Sequence, residues 1–243
     1  MISLVVPAAG LGSRLGFDGP KALAPLLGAS LLSYVLRAAE PSVDDLVLIV
    51  RPGDEDRFAA EVAGIGWPRP HAVVTQERPT GSADAVSIGL EAVRGPSCLV
   101  LWADQVGVNP ATIRAVTGGL RQRPKALLLP YVEVERPYVW LELDASGGVR
   151  RVGRQRDGDP SPAVGCADLG LFGLPAEETR AAITEEFSGS ATGPRERDFV
   201  YVLPRLSKMC EVEAMPVDDP GEAVAVNTPD DLTRAIEILG SRA

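Results

Sequence analysis

Four short apolar runs in the first half of the chain each lead into a turn and then a helix-like segment. This alternation restricts the fold more than any other feature. The runs are Ile2 to Val6, Leu46 to Val50, Ala72 to Thr75, and Cys98-Leu99-Val100-Leu101-Trp102-Ala103-Asp104. Each is bounded by turn residues and reads as a buried strand. Between them, Ser30 is placed to cap a helix through about Ala39, Pro52-Gly53-Asp54-Glu55-Asp56 opens a second helix, and Gly81-Ser82 opens a third running to about Val93. The three acids at 54–56 suit a helix N-terminus better than a metal site. Strands alternating with helices predict a layered α/β fold. Later runs, Pro124 to Val134, Tyr138 to Asp144 and Cys210 to Pro216, read as further strands, with helices at Pro175 to Phe187 and Arg197 to Ser207.

In such folds ligands sit beyond the carboxyl ends of the strands, so the turns there are the places to look. The first strand runs into Pro7-Ala8-Ala9-Gly10-Leu11-Gly12-Ser13-Arg14-Leu15-Gly16, followed by Pro20-Lys21. Small residues and glycines let backbone approach a ligand, and Arg14 and Lys21 add two cations. The spacing matches neither a dinucleotide fingerprint nor a Walker loop. On the residues alone, this stretch fits a phosphate-holding loop or a plain strand-to-helix turn. Gln76-Glu77-Arg78-Pro79-Thr80-Gly81-Ser82 likewise fits a second ligand-facing turn or an ordinary helix start. Asp104 ends the Cys98 run with a carboxylate at the mouth of the sheet, where a cation such as magnesium with a triphosphate is its natural partner.

Composition removes other classes. The net charge of −9 argues against nucleic acid as a partner. The longest apolar runs are far too short to span a membrane. A single histidine, His71, leaves no His/Cys metal cluster and reads as a strand-start residue. Cys98, Cys166 and Cys210 are odd in number and widely spaced, and no basic apolar leader opens the sequence. Reduced thiols in a cytoplasmic protein are the expectation. At 243 residues the chain is one large domain or two small ones.

The stretch Ala-Ala-Gly-x-Gly-Ser-Arg-Leu-Gly followed by Pro-Lys resembles the signature of nucleotidyltransferases that activate sugar phosphates, above all the uridylyltransferase domain that makes UDP-N-acetylglucosamine. The resemblance spans about residues 3 to 239. It implies a three-layer α/β/α sandwich with a mixed, mostly parallel, Rossmann-like sheet, and one domain over 1–243. The nucleotide side would be about 1–120 and 210–243, and the acceptor side about 121–209. It further implies that Ala8, Ala9, Gly10, Gly12 and Ser13 wrap a nucleoside triphosphate, UTP or CTP being favoured, while Arg14 and Lys21 act on its phosphates. Gln76, Gly81 and Ser82 would line the base pocket. Asp104 and Asn227, the latter in Val226-Asn227-Thr228, would hold Mg2+; without the likeness, Asn227 reads as part of a turn with helix caps.

The likeness thins in the acceptor region. Tyr138-Val139-Trp140 stands where the family has Tyr-Gly-Arg, no glutamate matches in Val149–Arg154, and Asp168-Leu169-Gly170 replaces Asn-Thr-Gly. Trp140, Arg154 and Asp168 are carried over as acceptor residues, and a small phosphorylated acceptor other than N-acetylglucosamine 1-phosphate is expected. Arg150, Arg151, Arg154 and Arg156 suit an anionic acceptor, but read more simply as a solvated basic hairpin. The loop Ser188–Arg195 suggests a lid. The implied reaction is attack of an acceptor phosphate on the α-phosphorus with loss of pyrophosphate. Its rivals are a non-catalytic nucleotide-sensing domain of the same fold and guanylyl transfer to a pterin cofactor.

Overall fold

The computed structural model describes residues 1–188 and 197–242. Its strands are β1 (Ile2–Pro7), β2 (Pro25–Leu26), β3 (Ala29–Ser30), β4 (Asp45–Val50), β5 (His71–Thr75), β6 (Ser97–Leu101), β7 (Leu127–Glu135), β8 (Val139–Leu143), β9 (Val149–Arg154), β10 (Val164–Asp168), β11 (Leu171–Pro175) and β12 (Val212–Pro216). Its helices are α1 (Leu31–Ala39), α2 (Glu55–Ile65), α3 (Ser82–Ala92), α4 (Pro110–Gln122), α5 (Ala176–Phe187), α6 (Leu203–Leu206) and α7 (Pro229–Ser241).

The main sheet is mixed and runs β5-β4-β1-β6-β11-β7-β10-β8-β9, with β12 also paired to β7; β2 and β3 form a separate small hairpin. From β5 to β6 every pairing is parallel. β11 then runs antiparallel to β6, and the remaining strands to β9 continue antiparallel. The parallel half follows from helical crossovers, because parallel neighbours cannot be joined by tight turns.

Side chains alternate across a strand, and the sequence uses both faces. Leu4, Val6, Leu46, Leu48, Leu99 and Leu101 join α1, α2 and α4 in one core. Val5, Val47, Ile49, Cys98 and Val100 join α3, α5 and α6 in the other. A third cluster, around Leu26, Leu31, Val106, Val226 and Ala235, docks α7. Each fully buried aliphatic contributes about 1.5–3 kcal/mol, so apolar residues on both faces demand helices on both sides. This is the three-layer α/β/α sandwich.

Local signals are obeyed where the helices begin. Ser30 Oγ accepts from Ser33 N at 3.0 Å and caps α1. The hydroxyls of Ser30 and Ser33 both donate to Glu61, at 2.6 and 2.9 Å, which ties α1 to α2. His71 opens β5 opposite Leu46.

The middle of the chain departs from expectation. The strand expected to end in Asp104 stops at Leu101; β8 lies within its expected run, and β7 starts three residues inside its run and ends one residue beyond it. Strands β9, β10 and β11 carry basic, glycine and cysteine residues that hide their alternation. The expected helix at 197–207 is a 3-10 turn, Phe199–Val202, followed by the short α6. The expected lid at 188–195 falls, apart from Ser188, outside the described residues.

Candidate functional site

A cleft of about 390 Å3 opens at the carboxyl ends of β1 and β6, where the parallel half of the sheet meets the antiparallel half. One wall is the loop after β1. Ala8 N donates to Ile49 O at 2.7 Å, which holds the loop's start against β4. Lys21 N donates to Gly10 O and Gly12 N to Gly19 O, each at 3.0 Å, so the loop folds back and delivers Lys21 beside Gly10. Ala8, Ala9, Gly10, Arg14 and Lys21 all line the cleft. Gly12 and Ser13 do not; the carbonyl of Gly12 accepts from Leu15 and Phe17 N, and Ser13 starts a short 3-10 turn.

Asp104 comes from a turn just past β6, in which Gln105 N donates to Trp102 O at 3.1 Å. Val226 N donates to Asp104 O at 3.0 Å. That bond sets Asn227 beside Asp104 although the two are far apart in sequence. Asn227 is fixed from its other side by α7, since Asp231 Oδ2 accepts from the backbone of Asn227 at 3.0 Å and of Thr228 at 2.9 Å. The result is a tight polar cluster. Lys21 Nζ donates to Asp104 Oδ2 and, at 2.9 Å, to Asn227 Oδ1. Arg14 donates to the same Asn227 oxygen at 3.3 Å. The Lys21 and Asp104 side chains are only 17% and 13% exposed. Two oxygens converge on one cation, and oxygen donors are what a hard divalent ion takes. The residues therefore fit magnesium. Among the described residues no group of three His, Cys, Asp or Glu side chains is placed to hold a metal, so water and substrate oxygens would have to complete its shell.

The other wall is the turn before α3. Gln76 Nε2 donates to Gly81 O at 3.0 Å. A carbonyl only accepts, so the amide orientation is set and Oε1 is left as an acceptor. Ser82 donates to Asp198 Oδ1 at 2.6 Å and accepts from Phe199 N at 2.9 Å. Phe199 stacks edge-on with Trp102 and Phe172, at centroid distances of 6.0 and 5.4 Å, which anchors Asp198 at the cleft. Arg154 Nη2 meets Asp198 Oδ2 at 2.6 Å. Gln76, Gly81, Ser82, Trp102, Arg154, Arg156 and Asp198 all line the cleft.

Of the three expected acceptor residues, only Arg154 faces the cleft. Trp140 does not: it is 4% exposed, and its indole lies where a side chain on the cross-strand partner Gly153 would stand. That space explains the glycine and makes Trp140 a core residue. Asp168 is also absent from the lining; its Oδ1 accepts from Gly170 N at 2.8 Å. Arg150 and Arg151 point away as a solvated hairpin, Arg151 pairing with Glu142 and Asp159. Asp198 carries no motif; it lies in the segment Arg197 to Ser207 read as a helix, and only its contacts identify it.

Desolvation holds the Asp168 carboxyl above the ordinary aspartate range; the Gly170 N–H opposes this and the charge of Asp198 adds to it. An acid raised in the folded state is destabilised when charged, a cost present at neutral pH that vanishes as pH falls through the folded value toward the ordinary range. Asp168→Asn keeps the acceptor for Gly170. It is expected to resist urea better than the parent at pH 7, with the margin closing near pH 4. Equal margins at both pH values would remove the buried charge as the cause. The cysteines offer no nucleophile. All three are free, and burial pushes Cys98 to about 12 and Cys210 to about 11. Among the described residues no helix is long and apolar enough to cross a membrane.

The sequence profile of the MobA-like NTP transferase domain matches residues 4–164. The chain belongs to that family. It is by family a nucleotidyltransferase, and the MobA-like match covers the loop after β1, the Gln76 turn, Asp104 and the strands through Arg154. Among its relatives are the bifunctional protein GlmU of Solibacter usitatus, 26% identical over 99% of this chain and 52% of that protein, and GlmU of Rubrobacter xylanophilus, 28% identical over 98% and 50%. The chain thus spans about half the length of these relatives. A solved UDP-glucose pyrophosphorylase complexed with UDP-glucose superimposes over the whole of both chains, with a TM-score of 0.75 at 15% identity. A nucleoside-diphosphate-sugar pyrophosphorylase from Vibrio cholerae gives 0.72 at 19%, over 98% of this chain and 100% of that one. Both share the fold of this MobA-like NTP transferase.

Proposed function

We propose that this chain transfers a nucleotidyl group from a nucleoside triphosphate to a small phosphorylated acceptor, with release of pyrophosphate. The observation that carries this reading is the convergence of Arg14, Lys21, Asp104 and Asn227 beside a glycine loop at the mouth of the sheet. The loop wraps the triphosphate. Lys21 and Arg14 offset the charge that builds on the α-phosphate and the departing pyrophosphate. An acceptor phosphate oxygen attacks in line; its second pKa is near 6, so it is already ionised and needs no histidine base. Holding the two reactants in line is the rest of the work. Asp104 and Asn227 would hold Mg2+, which supplies Lewis-acid charge neutralisation at the phosphates. Gln76 Oε1 meets a base N–H, and UTP or CTP is the donor favoured by the likeness to uridylyltransferases. The three free thiols suit a reducing cytoplasm.

The test is pyrophosphate release with Mg2+ across the four NTPs and a panel of sugar, cyclitol, choline and phosphonate acceptors, with a pterin included. Release with one NTP and a phosphorylated acceptor supports the proposal. Release only with GTP and the pterin replaces it with guanylyl transfer, and NTP binding without release favours a sensor. Asp104→Asn is expected to raise the Mg2+ concentration for half-maximal rate by about tenfold or more, at least what loss of a partner one shell further out costs. A superimposable magnesium titration would take Asp104 out of the site.

A further inference from the structure

Asn227 reaches the cleft at the end of a segment, residues 219–227, that runs alongside the loop 104–109. Several contacts join the two. Val226 N donates to Asp104 O at 3.0 Å. Asn109 N donates to Glu222 Oε2 at 2.9 Å. Arg242 spans both, donating to Gly107 O and, at 2.6 Å, to Asp219 Oδ2. Gly107 lies so close to the carbonyl of Gly221 that a methyl group on it would overlap that oxygen. Val106, Val224 and Val226 pack together between these points.

Glu222 stands apart among these groups. It is 4% exposed, and among the described residues no charged side chain is more enclosed. It is absent from the cleft lining. It sits in a 3-10 turn, Pro220–Ala223, whose start is capped by Asp219 Oδ1, which accepts from Gly221 N at 2.8 Å. Withdrawing a carboxylate from water is costly unless it is matched, and an apolar side chain would fill the space without that cost. What the acid adds is a strong acceptor for the N–H of Asn109, the N-cap of α4, where the positive end of the helix favours a negative charge. Val224 N donates back to Gly221 O at 3.3 Å, so the turn leads directly into Val226 and Asn227.

We propose that Glu222 is a positioning residue for the reaction centre. It fastens the 219–227 segment to the start of α4 and so keeps Asn227 Oδ1 where it meets Lys21 and, when the ion is bound, Mg2+. Without the Asn109 bond the turn is free to lift, and the bond from Val226 N to Asp104 O is left to hold Asn227 from that side. This inference rests on the assignment of Asn227 to Mg2+ under the proposed function.

The test reads the centre without turnover. Non-hydrolysable analogues of the four NTPs are titrated calorimetrically into the full chain, with and without Mg2+, and the tightest is carried forward. Mg2+ is expected to tighten its binding to the parent. Glu222→Ala should cut that gain about tenfold, as loss of a partner one shell out from a metal does. Glu222→Gln keeps an acceptor oxygen for Asn109 and should restore most of it. Asn227→Ala should lose the gain by itself, and adding Glu222→Ala should then take nothing further, because both act through one oxygen. Thermal melts are recorded alongside. A Glu222→Ala protein that melts early yet keeps the parental Mg2+ gain overturns the proposal, and so does a further loss in the double variant. Glu222→Asp, with the charge but a shorter reach, stands in if Glu222→Ala does not fold; it should lose part of the gain, and a parental gain again overturns the proposal. No Mg2+ gain in the parent refutes the assignment of Asn227 to the metal, and this inference with it. A gain in the parent without pyrophosphate release on any acceptor counts against the transfer reading alone.

Discussion

Lys21→Ala is expected to lower kcat for pyrophosphate release by about 10²–10³-fold, the range for removing one preorganised donor from developing charge. The structure makes this more than a loss of one cation. Lys21 bridges Asp104 and Asn227, so its removal leaves a mostly enclosed carboxylate without its counter-ion. Breaking such a pair from one side costs up to about 3–5 kcal/mol when fully buried, and less here, where both groups retain some solvent. The same change frees the Asp104 oxygen and leaves Asn227 Oδ1 to Arg14 alone. Millimolar Mg2+ without nucleotide is therefore expected to raise the unfolding temperature of Lys21→Ala more than that of the parent, in which the ammonium competes for the same oxygens. Steady-state rates and thermal melts with and without Mg2+ read the two effects separately. Near-parental turnover would remove Lys21 from the chemistry. A larger Mg2+ response in the parent would remove the idea that the lysine and the ion contend for one place.

Gly81→Ala is expected to cost about 3 kcal/mol or more of stability and most of the activity. Gly81 has φ +131° and ψ 172°, a region open to glycine and costing other residues about 1–3 kcal/mol. A methyl group there also overlaps the backbone of Arg197. That backbone cannot simply retreat, because Ala83 N donates to Arg197 O at 2.9 Å and Arg197 N donates to Thr80 O at 3.1 Å. Pushing the two segments apart separates Ser82 from Asp198 and, with it, Arg154 from its support. Urea unfolding measures the first effect and NTP binding the second. A variant that unfolds at the parental urea concentration would mean that the 80–83 and 197–199 segments are not rigidly joined.

The parallel half of the fold was legible because it obeys one local rule repeated four times, an apolar run, a turn and a helix. Ser30, Gly81 and Asp104 each stand where that rule places them. The antiparallel half was not legible in the same way. β9 reads Val-Arg-Arg-Val-Gly-Arg, whose charges suggest a surface ribbon, yet the strand turns Val149 and Val152 into the core and Arg154 into the cleft. Trp140 was misplaced for a related reason. An aromatic residue in a degraded motif invites a binding role, and only the cross-strand glycine, thirteen residues away in sequence, shows where the indole is housed. Asp198 was invisible altogether. Its partners Ser82 and Arg154 lie on separate elements, and no spacing rule links the three.

The bond from Val226 N to Asp104 O has a consequence in time. A chain emerging from the ribosome can complete β1, β4, β5 and β6 early, since their pairings lie within the first hundred or so residues. Lys21 then waits for Asn227, 206 residues downstream. Domains made N-terminus first gain such long-range contacts last. The nascent protein would thus own the loop after β1 long before Asp104 and Asn227 stand together beside Lys21.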